Sequence, residues 1–164
     1  MSAHSKNIML KTAQRYVDAG TFSGIEWQVQ HRGALCYTGS VGRAGCDSSA
    51  PIPDQAIYRI YSMTKPIVAA MAVILLQENR LHLFDPVTKF ISEFKDSIIL
   101  HPDGTRDKAT VPITIEHLLT HRAGLSYDFL PDCPVGGLYR EARLAEDGSR
   151  SLTDFVNDLA AMPL

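Results

Sequence analysis

Apolar side chains at Ile8, Met9, Ala13, Val17 and Ala19 recur among polar ones over residues 7–19, and Gly20 follows. That period predicts an amphipathic helix with a glycine stop, covering a sheet. Over residues 24–30 the period changes to two, with Ile25, Trp27 and Val29 on one face. Arg32-Gly33 then separates this stretch from a second β-like one at 34–41, which predicts a hairpin. Gly39, Gly42 and Gly45 recur every third residue but lead into Asp47-Ser48-Ser49-Ala50-Pro51. A dinucleotide fingerprint runs straight into a helix, so these glycines read as a loop after a strand.

Residues 57–61 are β-branched and aromatic, and directly after Ser62 a helical pattern takes over and continues to about Asn79. Pro66 suits the first turn of that helix, where no backbone donor is lost. The unbroken apolar run 67–76 covers every side of it, which predicts burial all round, and it is shorter than the roughly 18 residues of a membrane span. Asp85-Pro86 and Pro102-Asp103-Gly104 mark turns, and a small hairpin is expected to bring 98–100 beside 111–113. Thr114 is placed to cap a short helix carrying Ile115, Leu118 and Leu119, stopped by Gly124. Residues 126–148 are rich in Gly, Pro and Asp without a period and read as a long pocket-edge loop. Ser151 or Thr153 is expected to cap a last helix with Leu152, Phe155, Leu159 and Ala160 on one face, ended by Pro163. The elements together read as an α+β fold.

Composition narrows the function. The 164 residues are 45% hydrophobic and 21% charged, as in a soluble globular protein with a core. Sixteen basic and eighteen acidic residues give a net charge of -2 with no basic stripe, which argues against nucleic acid or an anionic membrane as partner. The start, Met1-Ser2-Ala3-His4-Ser5-Lys6, lacks the pattern of a secretion signal, so the expectation is a cytoplasmic protein or one whose leader was removed. Cys36, Cys46 and Cys133 lack a C-x-x-C spacing and read as free thiols. His117 and His121 stand four apart, as metal-binding pairs do, but no glutamate follows the first and no third ligand is evident. They are expected to hydrogen-bond the helix end and its following turn, and neither a metal nor a cofactor is expected.

The remaining chemistry lies in Tyr61-Ser62-Met63-Thr64-Lys65. At the start of a helix, residues three apart share a face, so the Ser62 hydroxyl and the Lys65 amine can meet. A lysine in a mostly apolar site has its charged form disfavoured and can then accept a serine proton. The helix N-terminus adds backbone donors for a developing oxyanion, with the Ser62 N–H as one of them. Spacing alone is weak evidence, because Ser92-Glu93-Phe94-Lys95 repeats it. Ser92 has no strand before it and no apolar helix after it, so context selects Ser62.

Tyr61-Ser62-Met63-Thr64-Lys65-Pro66-Ile67, followed by Leu83-Phe84-Asp85-Pro86-Val87, resembles the start of class C β-lactamases and family VIII carboxylesterases. The run Ile113-Thr114-Ile115-Glu116-His117-Leu118-Leu119-Thr120-His121-Arg122-Ala123-Gly124-Leu125 is similar to that superfamily's I-T-I-x-x-L-L-T-H-x-x-G-L block. The resemblance implies an antiparallel sheet flanked by helices plus a mostly helical domain, with residues 1–61 belonging to the first and 62–164 to the second. It implies Ser62 as the acylated nucleophile and Lys65 as its base, with Tyr127 at a substrate-binding position. The family also needs a tyrosine in a Y-x-N or Y-S-x motif and a later K-T-G-like or H-x-G-like strand. None of the six tyrosines has that context, and the ending Leu159-Ala160-Ala161-Met162-Pro163-Leu164 is similar to the segment before the catalytic tyrosine. The expectation is an N-terminal portion, inactive alone, that needs a C-terminal portion on the same or a separate chain.

The expected activity is hydrolysis of a small-molecule ester or amide, small carboxylic esters above all, through an acyl-enzyme. A β-lactamase or D-alanyl peptidase is the alternative within the superfamily, and a non-catalytic homologue binding peptides or cell-wall fragments is the alternative outside catalysis. Retention of both Ser62 and Lys65 favours an enzyme.

Overall fold

Ser2 starts the first helix: its hydroxyl accepts from the Ser5 N–H at 3.1 Å, satisfying one of the helix's free donors. Helix α1 (Ala3–Asp18) thus begins four residues before the apolar period does, and it ends ahead of Gly20, whose φ of +71° suits glycine. This is the computed structural model of the protein, and it describes residues 2–145 and 148–164. The chain divides into two compact units, Met1–Ile60 and Tyr61–Leu164.

In the first unit, strands β1 (Gly24–His31) and β2 (Ala34–Gly42) form the expected antiparallel hairpin. Arg32 and Gly33 turn it with φ of 50° and 78°, the left-handed pair that matches the strands' own twist. Ile25, Trp27 and Val29 are half-buried while Glu26, Gln28 and Gln30 are exposed, so the period of two is real. Helix α1 lies against this ribbon, with Ala13 and Val41 buried. Gly39 and Gly42 belong to β2 rather than to a loop. Trp27 sits opposite Gly39, where a Cβ would strike the indole ring.

In the second unit, helix α2 (Thr64–Gln77) follows a short 3-10 turn, Tyr61–Met63. Strands β3 (Ile98–Leu100) and β4 (Arg106–Lys108) pair antiparallel. Short helix α3 (Ile115–Leu119) is capped by Thr114 as expected: the Thr114 hydroxyl accepts from His117 N–H, and His117 Nδ1 accepts from Thr114 N–H. Helices α4 (Pro134–Glu141) and α5 (Leu152–Ala160) complete the unit, the latter capped by Ser151. One core cluster gathers Val87, Ile113 and Ala123 with Ile91, Phe94, Ile115 and Leu164 around them. A second gathers Val135, Tyr139 and Leu144, with Phe155, Leu159 and Met162 packed on it. Asp85 ties the segment after α2 together. Its carboxylate accepts from the Lys89 ammonium at 2.9 Å and the His82 N–H at 3.0 Å, and the ammonium above all holds it below the ordinary carboxylate range.

Several expectations fail here for identifiable reasons. Residues 57–60 form no strand, because no neighbouring strand among the described residues supplies a ladder, and Ile57 is 100% exposed. Helix α2 is not buried: Ile67, Val68, Met71, Val73 and Ile74 are each roughly half exposed, since the described residues provide no surface to cover them. β3 pairs with 106–108 rather than 111–113, because the Pro102-Asp103-Gly104 turn closes more tightly than expected, with Gly104 N–H donating to His101 at 2.9 Å. Ile113 instead meets Val87, whose N–H donates to the Ile113 carbonyl at 2.8 Å. α3 stops at Leu119, ahead of His121 with φ of 56°, so Gly124 serves the following turn. The stretch 126–148 is not all loop. Pro134 opens α4, and Gly136-Gly137 hid its period; residues 146 and 147 of that stretch lie outside the described residues. Leu152, expected on the packed face of α5, points to solvent at 78% exposure, because only Phe155 and Leu159 meet the second core cluster.

Candidate active site

Tyr61 holds an unusual backbone. Its φ of 42° is left-handed, a conformation that non-glycine residues adopt at a cost of about 1–2 kcal/mol. The next residue, Ser62, lies in the 3-10 turn that runs into α2, whose first residues follow without a side-chain cap. The backbone donors at this helix start are therefore not engaged by a capping side chain. Helical spacing then carries Lys65 back over the turn, and its Nζ donates to Ser62 Oγ at 3.1 Å.

Tyr127 joins them from the loop after α3. Its ring lies 5.7 Å below the Lys65 ammonium and stacks on Phe129 with centroids 4.9 Å apart. The three residues singled out from the sequence, Ser62, Lys65 and Tyr127, thus stand together. Phe129 was passed over. The only signal for it was a second aromatic two residues beyond Tyr127 in a stretch without a period. The site is open: Ser62 and Lys65 are exposed and Tyr127 nearly half so, and the dry surroundings expected for Lys65 are absent among the described residues.

The duplicate motif behaves differently. Ser92 and Lys95 share a 3-10 segment, but the Ser92 hydroxyl donates to Glu93 at 3.2 Å. A carboxylate neighbour thus takes the contact that Lys65 provides at Ser62.

Tyr127 is also fixed from behind. Gly136 in α4 approaches its backbone so closely that a Cβ there would run into the Tyr127 carbonyl oxygen. Gly136→Ala is therefore expected to destabilise the fold by about 1–3 kcal/mol, despite alanine's better helix propensity. A lower urea midpoint at constant slope would register it, and an unchanged midpoint would rule out the tight contact.

The family model described as Beta-lactamase matches residues 10–164. The chain belongs to the β-lactamase family. Among curated relatives, protein Rv1367c of Mycobacterium tuberculosis strain H37Rv is 35% identical over 127 residues, covering 75% of this chain and 32% of its own length. Esterase EstB of Burkholderia gladioli is 33% identical over 141 residues, covering 83% of this chain and 33% of EstB. The solved structure of EstCE1, a hydrolase with promiscuous acyltransferase activity, superposes with a TM-score of 0.73 at 28% identity, over 94% of this chain and 39% of EstCE1. The α+β fold class is that of the EstCE1 structure, and the chain spans about a third of the length of the curated relatives it matches. No helix among the described residues is long and apolar enough to cross a membrane.

Proposed function

We propose that this chain carries the nucleophile side of a serine hydrolase that cleaves small carboxylic esters through an acyl-enzyme. The observation that supports it is the 3.1 Å contact of Lys65 Nζ with Ser62 Oγ at the start of an apolar helix, in a family that includes esterases. In the reaction Lys65, acting in its neutral form, takes the Ser62 proton as Oγ attacks the ester carbonyl, and the tetrahedral oxyanion collapses to release the alcohol, which leaves with that proton. Water then attacks the acyl-serine and frees the acid. The Ser62 N–H is one donor to the oxyanion, and the Tyr127–Phe129 pair forms an aromatic wall for the acyl or alcohol group.

The second oxyanion donor and a tyrosine to relay the proton come, in this reading, from residues outside these 164, on the same or a separate chain. Such residues would also cover α2 and dry the site, which sharpens the proton transfer. No feature of Ser62, Lys65 or Tyr127 distinguishes a β-lactam or peptide carbonyl from an ester, and the likeness to an esterase supports the ester reading.

Labelling the full-length protein with a fluorophosphonate and mapping the adduct by mass spectrometry tests this reading. Modification at Ser62 is expected. Modification at another serine, or none in an otherwise active protein, overturns it.

A further inference from the structure

The segment that carries Tyr127 is a tight turn, with the Leu130 N–H donating to the Tyr127 carbonyl at 3.5 Å. Tyr127 and Phe129 stand at its first and third positions, and their rings stack. A turn of this kind satisfies only one carbonyl by itself. The Asp128 and Leu130 carbonyls, on either side of Phe129, are met from α4: Nη1 of Arg140 donates to both, to Leu130 at 3.2 Å. The guanidinium is rigid and planar, so a single group fixes two peptide carbonyls relative to each other.

Two more contacts bind the same segment to α4. Ser126 Oγ lies 3.1 Å from Cys133 Sγ, and Gly136 presses on the Tyr127 carbonyl oxygen. The rings themselves have little packing to hold them, since Phe129 is 71% exposed and Tyr127 45%. Their position therefore rests on the backbone beneath them, and α4 holds that backbone.

We propose that Arg140 is a positioning residue that latches the Tyr127–Phe129 turn to α4 and so sets the aromatic face offered to substrate beside Lys65. The inference rests on the hydrolase reading and deepens it, adding a residue that acts through the turn and not on substrate. Lys65 meets Ser62 within one turn at the start of α2, a contact that does not pass through the latched segment. Losing the latch thus weakens substrate binding without slowing the bond-making steps.

The test uses Arg140→Met in the full-length protein, which keeps the stem and removes the donors. KM should rise by about five-fold for benzyl acetate or ethyl phenylacetate, whichever the parent binds more tightly, the scale of one lost ring contact. Both kcat and the KM for ethyl acetate, which carries no ring, should stay within about two-fold of the parent. A role in stability alone would move all three esters together and overturns the proposal, as does an unchanged KM. Added to a protein already carrying Tyr127→Leu and Phe129→Leu, Arg140→Met should change KM no further, because the face it positions is gone; multiplied effects overturn the latch. Fluorophosphonate labelling of Ser62 separates the two readings. Labelled Ser62 with an unmoved KM removes the role of Arg140 alone, whereas a parent in which Ser62 stays unlabelled overturns the hydrolase reading. Chymotrypsin, which cuts after aromatic residues, checks the latch whatever Ser62 does: it should nick the chain after Tyr127 or Phe129 several-fold faster in Arg140→Met, and equal rates overturn the latch.

Discussion

Replacing Ser62 with alanine in the full-length protein is expected to lower kcat/KM for a short-chain activated ester by about ten-thousand-fold or more, because a covalent route has no substitute for its nucleophile. The loss should come without unfolding. Ser62 is exposed, and the hydrogen bond it gives up is an exposed one to Lys65, worth little in water. Its circular dichroism and urea midpoint should match those of the parent protein. Ser92→Ala provides the internal comparison: the same spacing to a lysine, but a hydroxyl committed to Glu93, and turnover expected within two-fold of the parent, by the roughly neutral effect of surface changes. If Ser92→Ala and Ser62→Ala lose activity alike, or if Ser62→Ala keeps it, Ser62 is not the nucleophile.

Lys65→Met should slow acylation by about a hundred- to ten-thousand-fold, the range of a lost general base. Methionine keeps the stem's packing and removes the amine, so the fold and the affinity for unreactive ester analogues should persist. The informative companion is Lys65→Arg. A guanidinium can donate to Ser62 Oγ and lie over the Tyr127 ring but cannot accept a proton at neutral pH. Arginine should therefore fail nearly as badly as methionine. Rescue by arginine in single-turnover acylation would mean that Lys65 acts as a fixed charge and not as the base.

Where an element's partner lay nearby in the chain, local pattern was enough to read it. The period of two at Ile25, Trp27 and Val29, with Arg32-Gly33 between the strands, encodes β1, its turn and β2 within nineteen residues, because one strand supplies the other's hydrogen bonds. Thr114 and His117 likewise encode the start of α3 between themselves. Reading failed where the outcome depended on more distant residues. Residues 57–60 have strand-forming side chains and no ladder, and α2 has an interior helix's composition without an interior. At the candidate site the Ser62–Lys65 spacing was legible because one helical turn creates it. Tyr127 was reachable only through resemblance, since the contact that brings it to Lys65 spans more than sixty positions with no periodic signal between them. The left-handed Tyr61 was invisible, because nothing in the type tyrosine announces a positive φ.

The bare surface of α2 also bears on time. A nascent chain leaves the ribosome at about 5–20 residues per second, so the apolar helix that begins at Thr64 is out for seconds before Leu164 follows. During that interval its half-exposed Ile67, Val68, Met71, Val73 and Ile74 compete for neighbours with every other incomplete chain nearby. For a protein built in this order, yield is set by a race between completion and aggregation, and chaperones that bind apolar helices would decide its outcome.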